Sequence, residues 1–167
     1  MFAVRRNIKQ CKNRERMYNA NMKLKKSSFY VVFIQTVTLL YLVLSGPVFP
    51  TNLISFMLSI LSVIIFILSF KELSKSKIGI VPEVKKGAVL INSGIYKLVR
   101  HPIYLALILF STSLVINFST SIRLIVFILF LVNLIIKIKI EEGYLAKTFP
   151  KYIKYKQKSN ALIPKVY

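Results

Sequence analysis

Apolar and polar residues follow one another in long blocks along this chain. Four apolar runs cover residues 29–44, 52–70, 103–118 and 122–136, and the second contains nineteen residues without a charged side chain. An α-helix needs ~20 apolar residues to cross the hydrocarbon core of a bilayer. The pattern therefore predicts an all-α integral membrane protein with about four transmembrane helices.

Short connections between the runs predict that these helices form two hairpins. The sequence GPVFP separates the first two runs, and proline ends a helix while glycine allows a tight turn. A polar turn at residues 117–120 separates the last two runs. Each hairpin returns to the side of the membrane on which it begins, so both termini and the polar loop at residues 71–100 are predicted on one side.

The blocks divide the chain into three regions. Residues 1–28 form a basic tail, in which Met17 and Met22 leave the start of translation open, and residues 29–70 form the first hairpin. Residues 71–167 contain the polar loop, the second hairpin and a C-terminal segment. Tyrosines and lysines alternate there with aliphatic residues, partly at three- and four-residue spacing, which predicts an amphipathic helix along the membrane surface.

The net charge of +20 is distributed very unevenly. Of the 25 lysines and arginines, nine lie in the basic tail, seven at residues 71–102 and eight from Lys137 onward, which leaves only Arg123. All five acidic residues lie on the side of the 24 cations. The asymmetry follows the positive-inside rule, so we interpret this side as cytoplasmic and expect no nucleic-acid partner. Arg123 is predicted to snorkel towards headgroups on the far side.

Residues suited to metal binding are scarce. Cys11 and His101 are the only cysteine and the only histidine, and the chain contains no aspartate. This composition excludes an intrachain disulfide and any metal site built from several cysteines or histidines. We therefore expect no metal cofactor.

Candidate chemistry is concentrated in the stretch SGIYKLVRHPIY at residues 93–104, where the basic loop becomes an apolar run. Two antiparallel spans of similar length end at the same depth, so Tyr104 and Glu141 are predicted to be neighbours. Tyrosine rings hold cations or aromatic rings, and carboxylates bind hydroxyl and ammonium groups. These residue types suit a positively charged, nucleotide-like cofactor.

Each of these residues, taken singly, is also typical of a membrane-surface anchor. Arg-His-Pro at a span entrance, interfacial tyrosines and a stop-transfer Lys137 anchor helices in headgroups, and a glutamate pair balances nearby lysines. It is their combination at one face that favours a functional site. Glu141 and Glu142 point about 100° apart on a helix, so only one is expected to face a given ligand.

Two motifs together resemble the isoprenylcysteine carboxyl methyltransferase family, which is related to the phospholipid N-methyltransferases. They are G-x-Y-x-x-x-R-H-P-x-Y and, one hairpin later, E-E-x-x-L-x-x-x-F. The resemblance covers about residues 89–164, close to half of the chain. The matching residues are Gly94, Tyr96, Arg100, His101, Pro102, Tyr104, Glu141, Glu142, Leu145 and Phe149.

This resemblance implies a membrane methyltransferase with S-adenosylmethionine in a cytoplasmic pocket and a lipid-like or prenylated acceptor that enters from the bilayer. It implies catalytic roles for Arg100 and for Lys137, the latter in contact with the acceptor. The implied cofactor-binding residues are Ala88, Val89, Leu90, Ile91, Gly94, Tyr96, His101, Pro102, Ile103, Tyr104, Glu141 and Glu142.

The acceptor is the open question. The family commonly places an arginine where this chain has Lys137, and lysine keeps the charge without the bidentate fork. A prenylcysteine carboxylate is already ionised, whereas the ammonium of phosphatidylethanolamine must lose a proton, for which a glutamate would serve. The cation at position 137 favours carboxyl O-methylation of an isoprenylcysteine or a similar lipid-like carboxylate.

Three alternatives remain at this point. The first is a phospholipid N-methyltransferase, which shares the Glu-Glu ending. The second is an NADPH-dependent membrane sterol reductase, which typically carries H-P-N-Y followed by glycine where this chain has Ile103 and Leu105. The third is a small basic membrane protein without enzymatic activity, which would bind no cofactor.

Overall fold

The computed structural model describes residues 28–75 and 90–162. These residues form five α-helices and one short 3-10 helix at Gly94–Lys97. Apart from one isolated parallel bridge between Val99 and Asn160, the described ranges contain no β-structure. The predicted all-helical class is confirmed for this part of the chain. The α-helices are α1 (Ser28–Leu44), α2 (Leu53–Leu73), α3 (Pro102–Asn117), α4 (Ser121–Thr148) and α5 (Tyr152–Lys158).

Two of these helices, α2 and α4, are long and apolar enough to cross a membrane, with 21 and 28 residues. The apolar helices α1 and α3 are shorter. The described chain therefore contains two candidate spans of full length, and the arrangement with four spans stays a prediction.

Helix α4 continues well beyond the apolar run that ends at residue 136. No proline interrupts the chain between Lys137 and Phe149, and the helix ends at Thr148, so that the extended Phe149 precedes Pro150. Proline disfavours helical geometry in the residue before it, which accounts for this boundary. Lys137, Glu141 and Glu142 consequently lie on one continuous helix instead of in a separate segment.

Helix α2 buries small polar residues and exposes its large apolar ones. Its buried residues are Ser55, Ser62 and Ser69, while most of its leucines, isoleucines and phenylalanines are exposed. Ser62 donates to the Ala106 carbonyl of α3 at 2.8 Å, and a 2.7 Å hydrogen bond joins the hydroxyls of Ser59 and Ser113. Small residues allow close helix approach where lipid, not water, covers the outer surface. This inside-out pattern fits a membrane setting.

Arg123 is buried, so the expectation that it snorkels towards headgroups is wrong. Its guanidinium donates to the carbonyls of Leu42 at 2.9 Å and Leu114 at 2.8 Å, and to the hydroxyl of Ser45. The last carbonyls of a helix have no partner within the helix and carry partial negative charge. One arginine therefore donates to carbonyls in the last turns of both α1 and α3, and this holds three helices together.

Helix α1 is joined to α4 by polar contacts nearer the other end. The side chain of Asn133 donates to the Val31 carbonyl at 2.9 Å, and Lys137 Nζ donates to Gln35 Oε1 at 3.0 Å. Buried polar groups between apolar helices require such partners. These two bonds bring α1 close to the polar end of α4, where the candidate site lies.

Candidate functional site

His101 lies at the centre of the candidate site, at the N-cap position of α3 and directly before Pro102. Its backbone N–H donates to the Ala161 carbonyl at 3.1 Å, and the N–H of Arg100 donates to the Asn160 carbonyl at 2.8 Å. The segment after α5 thus pairs with the segment before α3. This pairing holds the buried His101 ring in place from the backbone.

Glu142 is the anion of a compact electrostatic clamp. Its carboxylate lies 2.8 Å from Arg100 Nε, 2.7 Å from Lys156 Nζ and 3.5 Å from His101 Nε2. The Arg100 guanidinium also donates to the backbone carbonyls of Lys156 and Ser159. The clamp ties α4, α5 and the start of α3 to one another, so the Glu142 carboxylate already has two strong partners in Arg100 and Lys156.

Glu141 has a different environment, although it is the neighbour of Glu142. The Tyr104 hydroxyl donates to Glu141 Oε1, and Oε2 lies 3.8 Å from His101 Nδ1. Its side chain keeps 19% of its surface exposed, against 11% for Glu142. The Tyr104 ring stacks on the His101 ring with centroids 5.4 Å apart and planes 3° from parallel. The predicted proximity of Tyr104 and Glu141 is therefore found, and Glu141 has the more open carboxylate.

Tyr96 is the buried residue of the 3-10 helix, which lies shortly before His101 in the chain. Gly94 opens this turn with φ of +55°, a left-handed conformation that glycine adopts without strain. The Tyr155 hydroxyl of α5 donates to the Tyr96 carbonyl. Burial, followed by the nearby Tyr155, Glu141 and Glu72, raises the pKa of Tyr96 to about 12. The phenol is therefore neutral at physiological pH and is able to donate a hydrogen bond.

Lys137 lies one helical turn before Glu141, next to the apolar part of α4. Its Nζ is 4.9 Å from the centroid of the Tyr104 ring. The hydrogen bond that Nζ donates to Gln35 holds the ammonium group in this position. The residue is buried. Tyr104 consequently contacts the Glu141 carboxylate through its hydroxyl and the Lys137 ammonium through its ring face.

The structure brings most of the sequence-predicted residues together and leaves a few apart. Arg100, His101, Tyr104, Lys137, Glu141 and Glu142 form one connected cluster. Pro102 and Ile103 form the first turn of α3 beside it, and Leu90 and Ile91 precede the 3-10 helix as irregular chain. Ala88 and Val89 lie outside the described residues.

Sequence reasoning missed several residues that contact this cluster or the turn around the 3-10 helix. They are Gln35 on α1, Glu72 at the end of α2, and Tyr155 and Lys156 on α5. The chain has only five acidic residues among 167, and this scarcity is the signal that could have identified Glu72 as a residue of interest. Gln35 stood out only as an amide within an apolar run.

Comparison with known proteins adds one finding. A family model for phospholipid methyltransferases matches residues 50–152, a stretch that includes α2, α3, α4 and both motifs around His101 and Glu141. No curated protein and no solved structure gives a significant match.

Proposed function

Since the family match covers well over half of the sequence, the chain belongs to the phospholipid methyltransferase family, and we propose that it transfers a methyl group from S-adenosylmethionine to a lipid-like carboxylate. The resemblance to membrane methyltransferases is confirmed at the level of this family. An isoprenylcysteine or a similar lipid-like acid is the proposed acceptor, and the predicted cytoplasmic face is the proposed location.

The residues around His101 fit a cationic cofactor that carries a nucleoside. Glu141 provides a partly exposed carboxylate for a hydroxyl or ammonium group, and Tyr96 provides a neutral phenol. His101 Nε2 is buried, lies 3.5 Å from Glu142 Oε1 and makes no hydrogen bond within the described residues. A buried polar atom without a partner is costly unless a ligand completes it. When bound, S-adenosylmethionine supplies a methyl group that its positive sulfur makes electrophilic.

The residues of the chain divide into holding and binding roles. Glu142, Arg100 and Lys156 have strong mutual contacts and hold the ends of the helices in register. Tyr104 orients the Glu141 carboxylate through its hydroxyl. We therefore assign cofactor binding to Glu141 rather than to Glu142, and we assign to Arg100 the positioning of Glu142.

The single observation that carries the carboxylate proposal is the placement of Lys137. Its ammonium lies over the Tyr104 ring, one turn from Glu141 and on the apolar side of it. An anionic headgroup that enters from the bilayer meets this cation next to the cofactor-binding carboxylate. The charge pair gains strength where water is excluded. A carboxylate acceptor is already ionised at neutral pH, so the site needs only to desolvate and align it.

Phosphatidylethanolamine N-methylation is the second candidate, because the matching family is described by phospholipid methyl transfer. In this reaction Glu141 would take the proton that the ammonium group must lose. Lys137 would then contact the phosphate of the same headgroup.

One experiment separates these candidates. The purified protein, reconstituted in phospholipid nanodiscs, receives methyl-labelled S-adenosylmethionine with and without a prenylcysteine analogue. We expect label in the analogue that base treatment releases as methanol, since methyl esters hydrolyse and N-methyl groups do not. Base-stable label in the phospholipid would overturn the carboxylate proposal. Failure to bind the cofactor in a calorimetric titration would contradict both candidates, and a parallel titration with NADPH tests the reductase alternative.

A further inference from the structure

Glu72 at the end of α2 contacts the turn that precedes the candidate site. Its Oε2 accepts a hydrogen bond from the Ser93 hydroxyl at 2.8 Å, and its Oε1 lies 2.7 Å from Lys75 Nζ. An acid in the last turn of a helix is opposed by the helix dipole, and the pair with Lys75 only partly offsets this. Helix stability therefore does not explain the acid at this position.

The carboxyl group of Glu72 also occupies the space beside Gly94. A Cβ atom at Gly94 would lie 2.8 Å from both Cγ and Cδ of Glu72 and 2.9 Å from its Oε1. Gly94 also has the left-handed φ of +55°. Glu72 thus contacts the turn twice, through the Ser93 hydroxyl and through the open face of Gly94.

The turn held in this way carries Tyr96 into the site. The Tyr96 N–H donates to the Ser93 carbonyl at 3.1 Å, so the position of Ser93 sets that of Tyr96. Tyr96 is buried, and its carbonyl accepts a hydrogen bond from the Tyr155 hydroxyl of α5. Tyr96 is therefore linked to Glu72 through Ser93 and to α5 through Tyr155.

We propose that Glu72 is a positioning residue for cofactor binding, which acts through Ser93 and Gly94 to hold Tyr96 in the pocket. This inference rests on the proposed function. The end of α2 then contributes to cofactor binding, although the sequence motifs of the site all lie in the second half of the chain.

Four variants of the full chain in nanodiscs test the inference. Glu72→Ala and Ser93→Ala each remove the bond that holds the turn, and we expect both to raise the KM for S-adenosylmethionine about tenfold. The kcat and the KM for the acceptor should each change by less than about twofold, since neither residue touches the reacting groups. Lys75→Ala leaves the Ser93 bond in place and is the matched control, with KM unchanged. Glu72→Gln keeps an acceptor for Ser93 and should restore most of the affinity.

Hydrogen exchange supplies a readout that does not depend on activity. We expect faster exchange of the Tyr96 amide in Glu72→Ala and Ser93→Ala, and unchanged exchange in Lys75→Ala. Unchanged exchange and KM in Glu72→Ala would overturn the inference, as would a Glu72→Gln variant as defective as Glu72→Ala, because the charge itself would then be what binds. If the unaltered protein does not bind S-adenosylmethionine, the proposed function fails and the cofactor role of Glu72 fails with it. A protein that binds normally after Glu72→Ala contradicts this inference alone.

Discussion

Arg100 Nε lies 2.8 Å from Glu142 Oε1, and this ion pair joins the start of α3 to the far end of α4. The two residues are 42 positions apart, and only 8% and 11% of their side-chain surfaces are exposed. Glu142 also pairs with Lys156 of α5. The contact therefore joins α3, α4 and α5. It also gives Glu142 different partners from those of the adjacent Glu141.

Glu142→Gln is expected to destabilise the protein by about 2–3 kcal/mol, because Arg100, Lys156 and His101 lose a shared anion in a largely buried position. Denaturant-induced unfolding in detergent measures the change. The matched variant is Glu141→Gln, which keeps an acceptor for Tyr104 and should alter stability by less than about 1 kcal/mol. Equal losses in the two variants would contradict the division of roles.

Tyr104→Phe is expected to weaken S-adenosylmethionine binding about tenfold, because Glu141 loses the hydroxyl that orients it. The ring remains to stack on His101 and to contact Lys137. Calorimetric titration measures the affinity. Tyr144→Phe serves as the control, since the described part of the chain shows no hydrogen bond to that hydroxyl. The same affinity in both variants would exclude this role for Tyr104.

Lys137→Met is expected to raise the KM for a carboxylate acceptor at least about tenfold, with cofactor affinity unchanged, because the acceptor loses its counter-ion. Lys137→Arg should retain most of the activity, since the charge is kept. Gln35→Leu should have an intermediate effect, as it removes the hydrogen bond that holds the ammonium group. Steady-state kinetics with varied acceptor measure all three. An unchanged acceptor KM in Lys137→Met would contradict acceptor binding at this residue.

Gly46→Ala is expected to destabilise the protein by about 1–3 kcal/mol through overpacking, with no direct effect on the site. A Cβ atom at this glycine would lie 2.8 Å from Arg123 Nη1 and 2.8 Å from Phe118 Cδ1, against the buried guanidinium. Gly143→Ala is the opposite case, since nothing lies within 4 Å of its Cβ position inside α4. That change should stabilise the helix by about 0.5–1 kcal/mol. Thermal unfolding in detergent compares the two, and a tolerated Gly46→Ala would contradict the close packing of Arg123.

Two predictions from sequence show where such reasoning succeeds and where it does not. Tyr104 and Glu141 were expected to meet, and the structure joins them by a hydrogen bond, because antiparallel helices of similar length must end at similar depth. Arg123 was expected to reach outward, and the structure buries it against helix ends. The depth at which Tyr104 and Glu141 lie follows from the lengths of the two helices that carry them, and these lengths can be read from the sequence. The partners of a long side chain such as Arg123 depend on which other helices end nearby, and the sequence pattern does not show this.

The sequence by itself determined the helical class, the positions of the apolar runs and the face on which the chemistry is concentrated, because hydrophobic blocks and turn residues act locally. Only the tertiary structure decided that Glu142 is clamped while Glu141 is more exposed, and that Gln35 of α1 contacts Lys137 and Glu72 of α2 contacts Ser93. Adjacent glutamates are equivalent in a sequence pattern. They acquire different roles only when Arg100, Lys156 and Tyr104 approach them from separate helices, since each carboxylate is defined by the donors that surround it.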